Sequence, residues 1–467
     1  MLKDFFAHVS SFFSELFTKQ ETWFIVLILG VGGLIVLPFF SVWPFVTEIL
    51  YFLLMTWWLW LFFILFPMVR ELWVHWRQEM FKASVKWVLL ELHMPRLIEK
   101  SPQAMEQVLQ ALHSLRNAAG DIRETYWDGE VTVWFSLEMV SFGGEIRFYV
   151  RGQKKQRNLI EAAFFSYYPD LEIEEVEDYV KGFPQTIPEM YARGLEMWGT
   201  EMLLGREEAY PIKTYPTFES EADDKKFDPI SVFLEVLSKI KGQEVVGIQI
   251  NIAPADAKWK KKWDKFLDEL QAPATAEIET DDDTGSRQVT VARSPGQVDT
   301  LEAVENNLTK PAFDTLIRFI YMSPKETYYD SFARRGLVGA FNQYSALNLN
   351  SFKSNRNVAT RARIWNWPHL FPDTRVEYRK QRLLMNYLRR DVPPEMWWGR
   401  LITSFPLNFN FHSKRFKMTT EGLATLFHPP TAVVLTAPHM KRVESKKAGP
   451  PAGLAIFGEE TEIEQYK

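Results

Sequence analysis

Two stretches without a single charge set the first constraint on this chain. Thr22 to Thr47 carries none, nor does Ile49 to Val69, and only Glu48 stands between them. Each exceeds the roughly 20 residues that a helix needs to cross a hydrocarbon core about 30 Å thick. Hardly any soluble core contains TWFIVLILGVGGLIVLPFF followed by YFLLMTWWLWLFFILFPMV. The pair therefore predicts a transmembrane helical hairpin over residues 21–70. Pro44 interrupts a helix and Trp43 favours the interface, so a tight turn is expected at Ser41-Val42-Trp43-Pro44. Trp23, Trp43, Trp57, Trp58 and Trp60 are the expected membrane tryptophans. The first run begins at Thr22 and leads directly into the second, unlike a cleavable signal.

Flanking cations orient the hairpin. Lys3 and Lys19 precede it, and Arg70, Arg77, Lys82 and Lys86 follow it. Both termini are thereby expected on the cytoplasmic side of a bacterial inner membrane. Gly30, Gly32 and Gly33 either let another helix approach or keep the span flexible. Over residues 1–20, Phe5, Phe6, Val9, Phe12, Phe13, Leu16 and Phe17 recur at helical spacing opposite Lys3, Asp4, His8 and Glu15. That is an amphipathic helix for the membrane interface, or one that packs on the soluble portion.

The rest of the chain reads as α+β. Over 71–200, Trp87–Leu92 is a short apolar strand, and Ser101 and Pro102 begin a helix as N-cap and first residue. Val131, Val133, Phe135, Leu137 and Met139 alternate with Thr132, Trp134, Ser136 and Glu138. Gly143-Gly144 turns the chain into a second alternating strand, Ile146, Phe148 and Val150 against Glu145, Arg147, Tyr149 and Arg151. A helix from Lys154 and a strand from Leu171 complete a βαββαβ order, the ferredoxin-like arrangement. Residues 201–350 are expected to repeat it, with strands at Tyr210–Tyr215, Val245–Ala253 and Phe313–Met322, helices from Asp228-Pro229 and Pro324, and an insertion at 254–310. The acidic run Glu279 to Gly285 in that insertion lacks calcium-loop spacing and reads as a solvated turn. Residues 351–467 form a basic, aromatic segment and a C-terminal extension.

No catalytic motif survives inspection. The sequence has no G-x-x-x-x-G-K-[ST], no H-E-x-x-H and no G-x-S-x-G. It has no cysteine, which excludes disulfides, thiolate metal sites and a cysteine nucleophile. The eight histidines form no ligand pair at helical spacing. No cofactor, metal or catalytic residue is therefore expected. A rival reading, a membrane-tethered enzyme, needs Glu138, Glu145 or the carboxylates at Glu172, Glu174, Glu175, Glu177 and Asp178 to line a pocket. The last group reads more simply as a solvated edge strand.

Net charge is only −5, so nothing global calls for nucleic acid. Locally, however, Leu159–Glu235 holds 18 acidic against 6 basic residues, and Lys353–Arg390 holds 10 basic against 2 acidic. In the basic stretch Arg361, Arg363, Arg375, Arg379, Lys380, Arg382, Arg389 and Arg390 are interleaved with Trp365, Trp367, Phe371, Tyr378 and Tyr387. Such a stretch suits phosphates and bases, anionic lipid, or an internal match to the acidic region.

Several segments together resemble one protein group: LHMPRLIEKSPQAMEQVLQALHSL, FSLEMVSFGGEIRFYVRGQKKQRNLIEAAFFSYYPDLEIEEVEDY, YPIKTYP and TTEGLATLFHPP. They are similar to the membrane-proximal, non-ATPase region of conjugation-type DNA-transfer proteins related to type IV secretion ATPases of the HerA/FtsK-like group, found especially in Patescibacteria-like bacteria. The resemblance covers about residues 85–450 and carries no Walker residue. It implies a non-enzymatic, membrane-anchored assembly subunit, oligomeric, with a motor ATPase encoded separately and DNA as a further partner. A lipid-surface or protein scaffold unrelated to DNA is the alternative.

Overall fold

A computed structural model of the chain describes residues 44–95, 98, 100–218, 227–272, 274–278, 287–291, 293–361, 363, 371–391 and 412–431. The expected amphipathic helix, residues 22–43 of the first apolar run with Trp23 and Trp43, and Trp365, Trp367 and the Glu279–Gly285 turn lie outside the described residues, as does the side chain of Trp60. The chain divides into two compact units.

The first unit contains helices α1 (Pro44–Met55) and α2 (Trp57–Ser84) and the segment 119–131. Thr56 barely interrupts the helical path, since its N–H and its hydroxyl both donate to the Phe52 carbonyl, at 2.9 and 2.7 Å. The helix expected to end near residue 70 continues to Ser84. α2 is long and apolar enough to cross a bilayer. Its large side chains face outward: Trp58 is 62% exposed and Phe63 63%. On its C-terminal half the Trp73 indole N–H donates to the Tyr126 carbonyl at 2.7 Å, and Trp73 stacks obliquely on Trp76 and Trp127. Gly129, at φ 68°, lies so close to the Arg77 backbone that a Cβ there would sit 2.4 Å from it.

In the second unit, a single antiparallel sheet stands where two tandem lobes were expected. Its strands are β1 (Trp87–His93), β2 (Phe135–Phe142), β3 (Glu145–Gln153), β4 (Glu172–Val176), β5 (Leu195–Leu204), β6 (Val245–Pro254), β9 (Ala312–Pro324), β10 (Phe352–Ser354) and β11 (Phe416–Thr419). β7 (Ala274–Ile278) and β8 (Arg287–Val291) form a separate hairpin in the insertion. The order is β10-β5-β9-β6-β2-β3-β1-β4, with β11 on β9. The two halves join where β2 pairs with β6 from Phe135↔Ile252 to Phe142↔Val245.

Local chemistry explains the elements. Ser101 accepts from the Gln103 N–H at the start of α3 (Pro102–Ser114). Gly143 and Gly144, at φ 58° and 97°, make the β2–β3 turn that residues with a Cβ adopt at a cost. One sheet face is apolar: Leu137, Met139, Phe148, Val150, Ile248, Ile250, Ile317 and Phe319 are buried under α3, α4 (Arg157–Tyr167), α6 (Ser231–Ser238), α9 (Val338–Asn342) and α11 (Thr420–Leu426). The insertion helices α7 (Asp264–Gln271) and α8 (Pro295–Thr309) belong to a small separate core around Trp259, Trp263, Val304 and Leu308.

Two further sequence expectations are corrected. Tyr210–Tyr215 is not a strand; the first strand of the second half is β5, earlier in the chain. The helix expected from Pro324 to Ala346 is shorter, a π-helical turn at Ala333–Leu337 followed by α9.

Candidate functional site: a buried polar seam under an arginine-bearing helix

The second face of the sheet is the unusual one. Residues directly opposite in an antiparallel pair point to the same side. The register therefore aligns Glu201, Arg318, Gln249, Glu138, Tyr149 and Glu91 in one row across β5, β9, β6, β2, β3 and β1. All six are buried. Buried charges are tolerated only when paired and hydrogen-bonded. Over Arg318, Gln249 and Glu138 the partners come from helix α10 (Pro372–Arg389) and its C-cap Arg390, while Tyr149 stacks on Tyr179 and Glu91 lies 3.9 Å from Arg147.

Arg390 adopts a left-handed conformation, φ 52° and ψ 36°, and turns its side chain under the helix. Its Nε and Nη2 donate to the two Glu138 oxygens at 2.8 and 3.1 Å, and Nη1 donates to Asp178 at 2.5 Å. Glu138 also accepts from the Ser136 and Tyr179 hydroxyls at 2.7 and 2.6 Å. The Arg390 carbonyl accepts from the Trp134 indole at 2.9 Å and from Asn251 at 3.4 Å. Arg318 pairs with Glu201 at 3.1 Å and donates to the Asn386 and Asp391 carbonyls, closing the C-terminus of α10 with a cation. Ser413 donates to the same Glu201 oxygen at 2.7 Å.

These pairings set the titration. Burial opposes charge on Arg390, yet the Glu138 carboxylate holds the guanidinium well above its ordinary value. Burial, then Glu138, raises Tyr179 well above the phenol range. Arg151, stacked 4.1 Å over Trp87, falls to about 10 through burial and the neighbouring Arg390 charge.

α10 lies close because two positions have no side chain. A Cβ at Gly199 would meet Leu383 at 2.7 Å, and one at Gly247 would meet the Tyr387 hydroxyl at 1.8 Å. The helix buries Leu383, Leu384 and Tyr387 against Met197, Ile320 and Met322.

The basic residues singled out in the sequence separate accordingly. Arg375, Arg379 and Arg390 are buried, which removes them from an outward contact surface. Arg379 donates to the carbonyls of Arg356, Ala359 and Arg361 at 3.3, 3.3 and 3.0 Å, tying down the loop before the helix. Lys380 is held by Glu196, Tyr191 and Glu377 at 2.7, 2.9 and 3.2 Å. Burial works against its charge, but Glu196 and Tyr191 raise its pKa overall. Arg361, Arg363 and Arg389 are exposed and Arg382 half-buried.

The carboxylates of the enzyme reading are likewise engaged. Glu138 is sealed beneath α10, and Glu145 pairs with Arg147 at 2.9 Å. Glu174 and Glu175 lie on the edge strand near His93 and Lys154, each at 3.3 Å. Glu177 lines an open pocket of about 330 Å³ with Glu91, Phe142, Arg147, Tyr149, Val176 and Tyr179, but pairs with Lys181 at 2.8 Å. Among the described residues no group of three His, Cys, Asp or Glu could hold a metal ion.

Sequence reading missed a further buried pair, outside the seam. His428 Nε2 is 2.8 Å from Asp228 Oδ1, and Nδ1 is 2.7 Å from the Ala424 carbonyl. Asp228 also accepts from the Ile230 N–H and, through its other oxygen, from Thr431 N–H and hydroxyl. Two hundred residues separate the pair, so no local pattern announces it.

The fold and seam define a mixed α+β domain organised for packing. Residues 76–360 match a family described as a domain of unknown function, DUF8128, and the chain belongs to that family. The match takes in Glu138, Glu201 and Arg318 and ends before α10. No curated protein matches the chain.

Proposed function

We propose that the protein is a non-enzymatic, membrane-anchored assembly subunit of a conjugation-like or type IV secretion DNA-transfer apparatus. Its soluble sheet is the platform on which a separate motor ATPase docks. The observation that carries the anchoring is the outward apolar surface of α1 and α2. Ile49–Val69, at 1.5 Å per residue, is about 31 Å long, the thickness of a hydrocarbon core. Phe52, Trp57, Trp58, Phe62 and Phe63 are all exposed along it. Pro67 interrupts the bonding there, as membrane helices tolerate. In this reading both termini and the sheet lie on the cytoplasmic side of the inner membrane, and copies of the chain assemble together.

The strand orders β4-β1-β3-β2 and β10-β5-β9-β6 support reading each half as ferredoxin-like, the two fused edge to edge through β2 and β6. The assignment to DNA transfer rests on the sequence resemblance. Docking of a motor is preferred over direct DNA contact because Arg375, Arg379 and Arg390 are spent inside the fold. The test is alkaline extraction of cell membranes followed by affinity purification from the solubilised pellet. The chain should stay in the pellet and co-purify a P-loop ATPase. Release into the alkaline supernatant would defeat the anchoring, and a pellet-bound chain that recovers no ATPase would defeat the docking.

A further inference from the structure

We propose that the segment 119–131 is a membrane-contacting foot, which rests its apolar side chains in the headgroup layer of a zwitterionic lipid surface. This rests on the anchored reading of α2. The segment is held on α2 by the Trp73–Tyr126 hydrogen bond of 2.7 Å and by Gly129 against the Arg77 backbone. Its free side turns outward Ile122, 78% exposed, and Trp127, 66% exposed. With Trp73 and Trp76, themselves exposed and in ring contact at 5.3 Å, Trp127 lies 5.9 Å from Trp73 and forms one contiguous aromatic patch, the kind of surface that marks a contact site.

Position along the helix selects the partner. Trp73 lies four residues beyond Val69, about 6 Å along the axis, and Arg77 about 12 Å. The headgroup layer adds some 5–7 Å to each side of the hydrocarbon core. Trp73, with Tyr126 and Trp127 packed on it, thus lies at the level that aromatic side chains prefer at membrane interfaces, and Trp76 lies just beyond that layer.

Charge selects the lipid. Residues 119–131 carry Asp121, Glu124, Asp128 and Glu130 against the single Arg123. Three of these acids are engaged locally: Asp121 accepts from the Glu124 N–H at 2.7 Å, Glu124 from the Gly120 N–H at 2.6 Å, and Asp128 lies 3.7 Å from Arg123. A net-acidic loop of this kind is repelled by anionic headgroups and tolerated by zwitterionic ones.

The absence of cysteine provides the test. Ile122→Cys, Trp127→Cys and, within the span, Phe62→Cys are each labelled with an environment-sensitive fluorophore in the full chain, reconstituted in phosphatidylcholine vesicles. Brominated lipid and aqueous iodide serve as quenchers. Labels at 122 and 127 should show blue-shifted emission quenched by bromolipid, with the shift reduced when phosphatidylglycerol is added. If label 62 responds to bromolipid while 122 and 127 respond to iodide alone, the foot is overturned and the anchor stands. If all three respond to iodide alone, both readings fall. Labels at 122 and 127 that neither quencher reaches would mean a protein covers the loop, and would also overturn the proposal.

Discussion

The hydroxyl of Tyr387 occupies the space in which a side chain at position 247 would begin. A Cβ built on Gly247 lies 1.8 Å from that oxygen and 2.7 Å from Cζ. Tyr387 is at the same time anchored from both ends, its hydroxyl 2.8 Å from that of Tyr179 and its carbonyl accepting from Gln249 at 3.0 Å. Helix α10 therefore cannot slide aside without giving up buried hydrogen bonds.

Gly247→Ala should for this reason act on the helix more than on the strand. Overpacking of a tight core costs about 1–3 kcal/mol. Hydrogen exchange on the full chain in detergent should show amide protection lost over α10 and retained over β6 and β9. Unchanged protection across α10 would refute the close approach described here.

Breaking the Glu138–Arg390 pair should be expensive and replacing it cheap. Removing one partner of a buried ion pair leaves an uncompensated charge and costs about 3–5 kcal/mol. Glu138→Leu and Arg390→Met alone should each lower the denaturation midpoint steeply. Together they should recover most of the loss, which a double-mutant cycle measures as coupling. Additive losses would show that the two groups act independently.

Acid should loosen the C-terminal segment in a defined window. Burial raises the Asp228 pKa, but His428 and the Thr431 N–H and hydroxyl outweigh it and bring the carboxyl down to about 2, from an ordinary 3.8. A depressed carboxyl stabilises the fold above its unfolded value, and that contribution, about 2 kcal/mol, is lost as pH falls through the folded value. Stability should therefore decline between about pH 4 and pH 2. In Asp228→Asn this component of the decline should be missing; an acid profile identical to the wild type would remove Asp228 as its source.

Arg379 and Arg389 should respond differently to charge reversal. Arg379→Glu places an acid against three backbone carbonyls in a buried site, and the melting temperature should drop. Arg389→Glu changes an exposed residue and should leave melting unchanged. If DNA binds this segment directly, Arg389→Glu should weaken it and lower the salt dependence by about one phosphate contact. Salt-titrated filter binding reads that, and the motor-docking proposal expects no such change.

Much of the sheet was legible because burial on one face writes itself as alternation. Phe135, Leu137 and Met139, then Ile146, Phe148 and Val150, signal strands of one hairpin, and Gly143-Gly144 signals its turn. β5 was missed because both of its faces are covered. In Leu195–Leu204, Met197 and Glu201 face α10 while Trp198 and Met202 face the opposite core, so no polar-apolar rhythm remains. The seam was hidden for a related reason. Glu138 occupies the polar phase of its strand with Thr132 and Ser136, which ordinarily means solvent, whereas Arg318 stands alone among Leu316, Ile320 and Met322 and reads as an interruption of an apolar run. Likewise Arg375 and Arg379 recur at helical spacing with Leu383 and Tyr387, so the inward stripe of α10 mixes charge with apolar residues. Composition reads that stripe as a surface; backbone carbonyls of the loop before the helix turn Arg379 inward, and Glu138, far away in the chain, does the same for Arg390.

That distance also governs the order of synthesis. Arg390 follows Glu138 by 252 residues. At roughly 5–20 residues per second, a ribosome would complete the strand about 13 to 50 s before supplying the guanidinium. For that interval Glu138 stands in the nascent chain without its guanidinium, while the apolar helix ahead of it has already emerged. The sheet of this protein is thus expected to be finished late, from its C-terminal side, after its N-terminal segment has found its own surroundings.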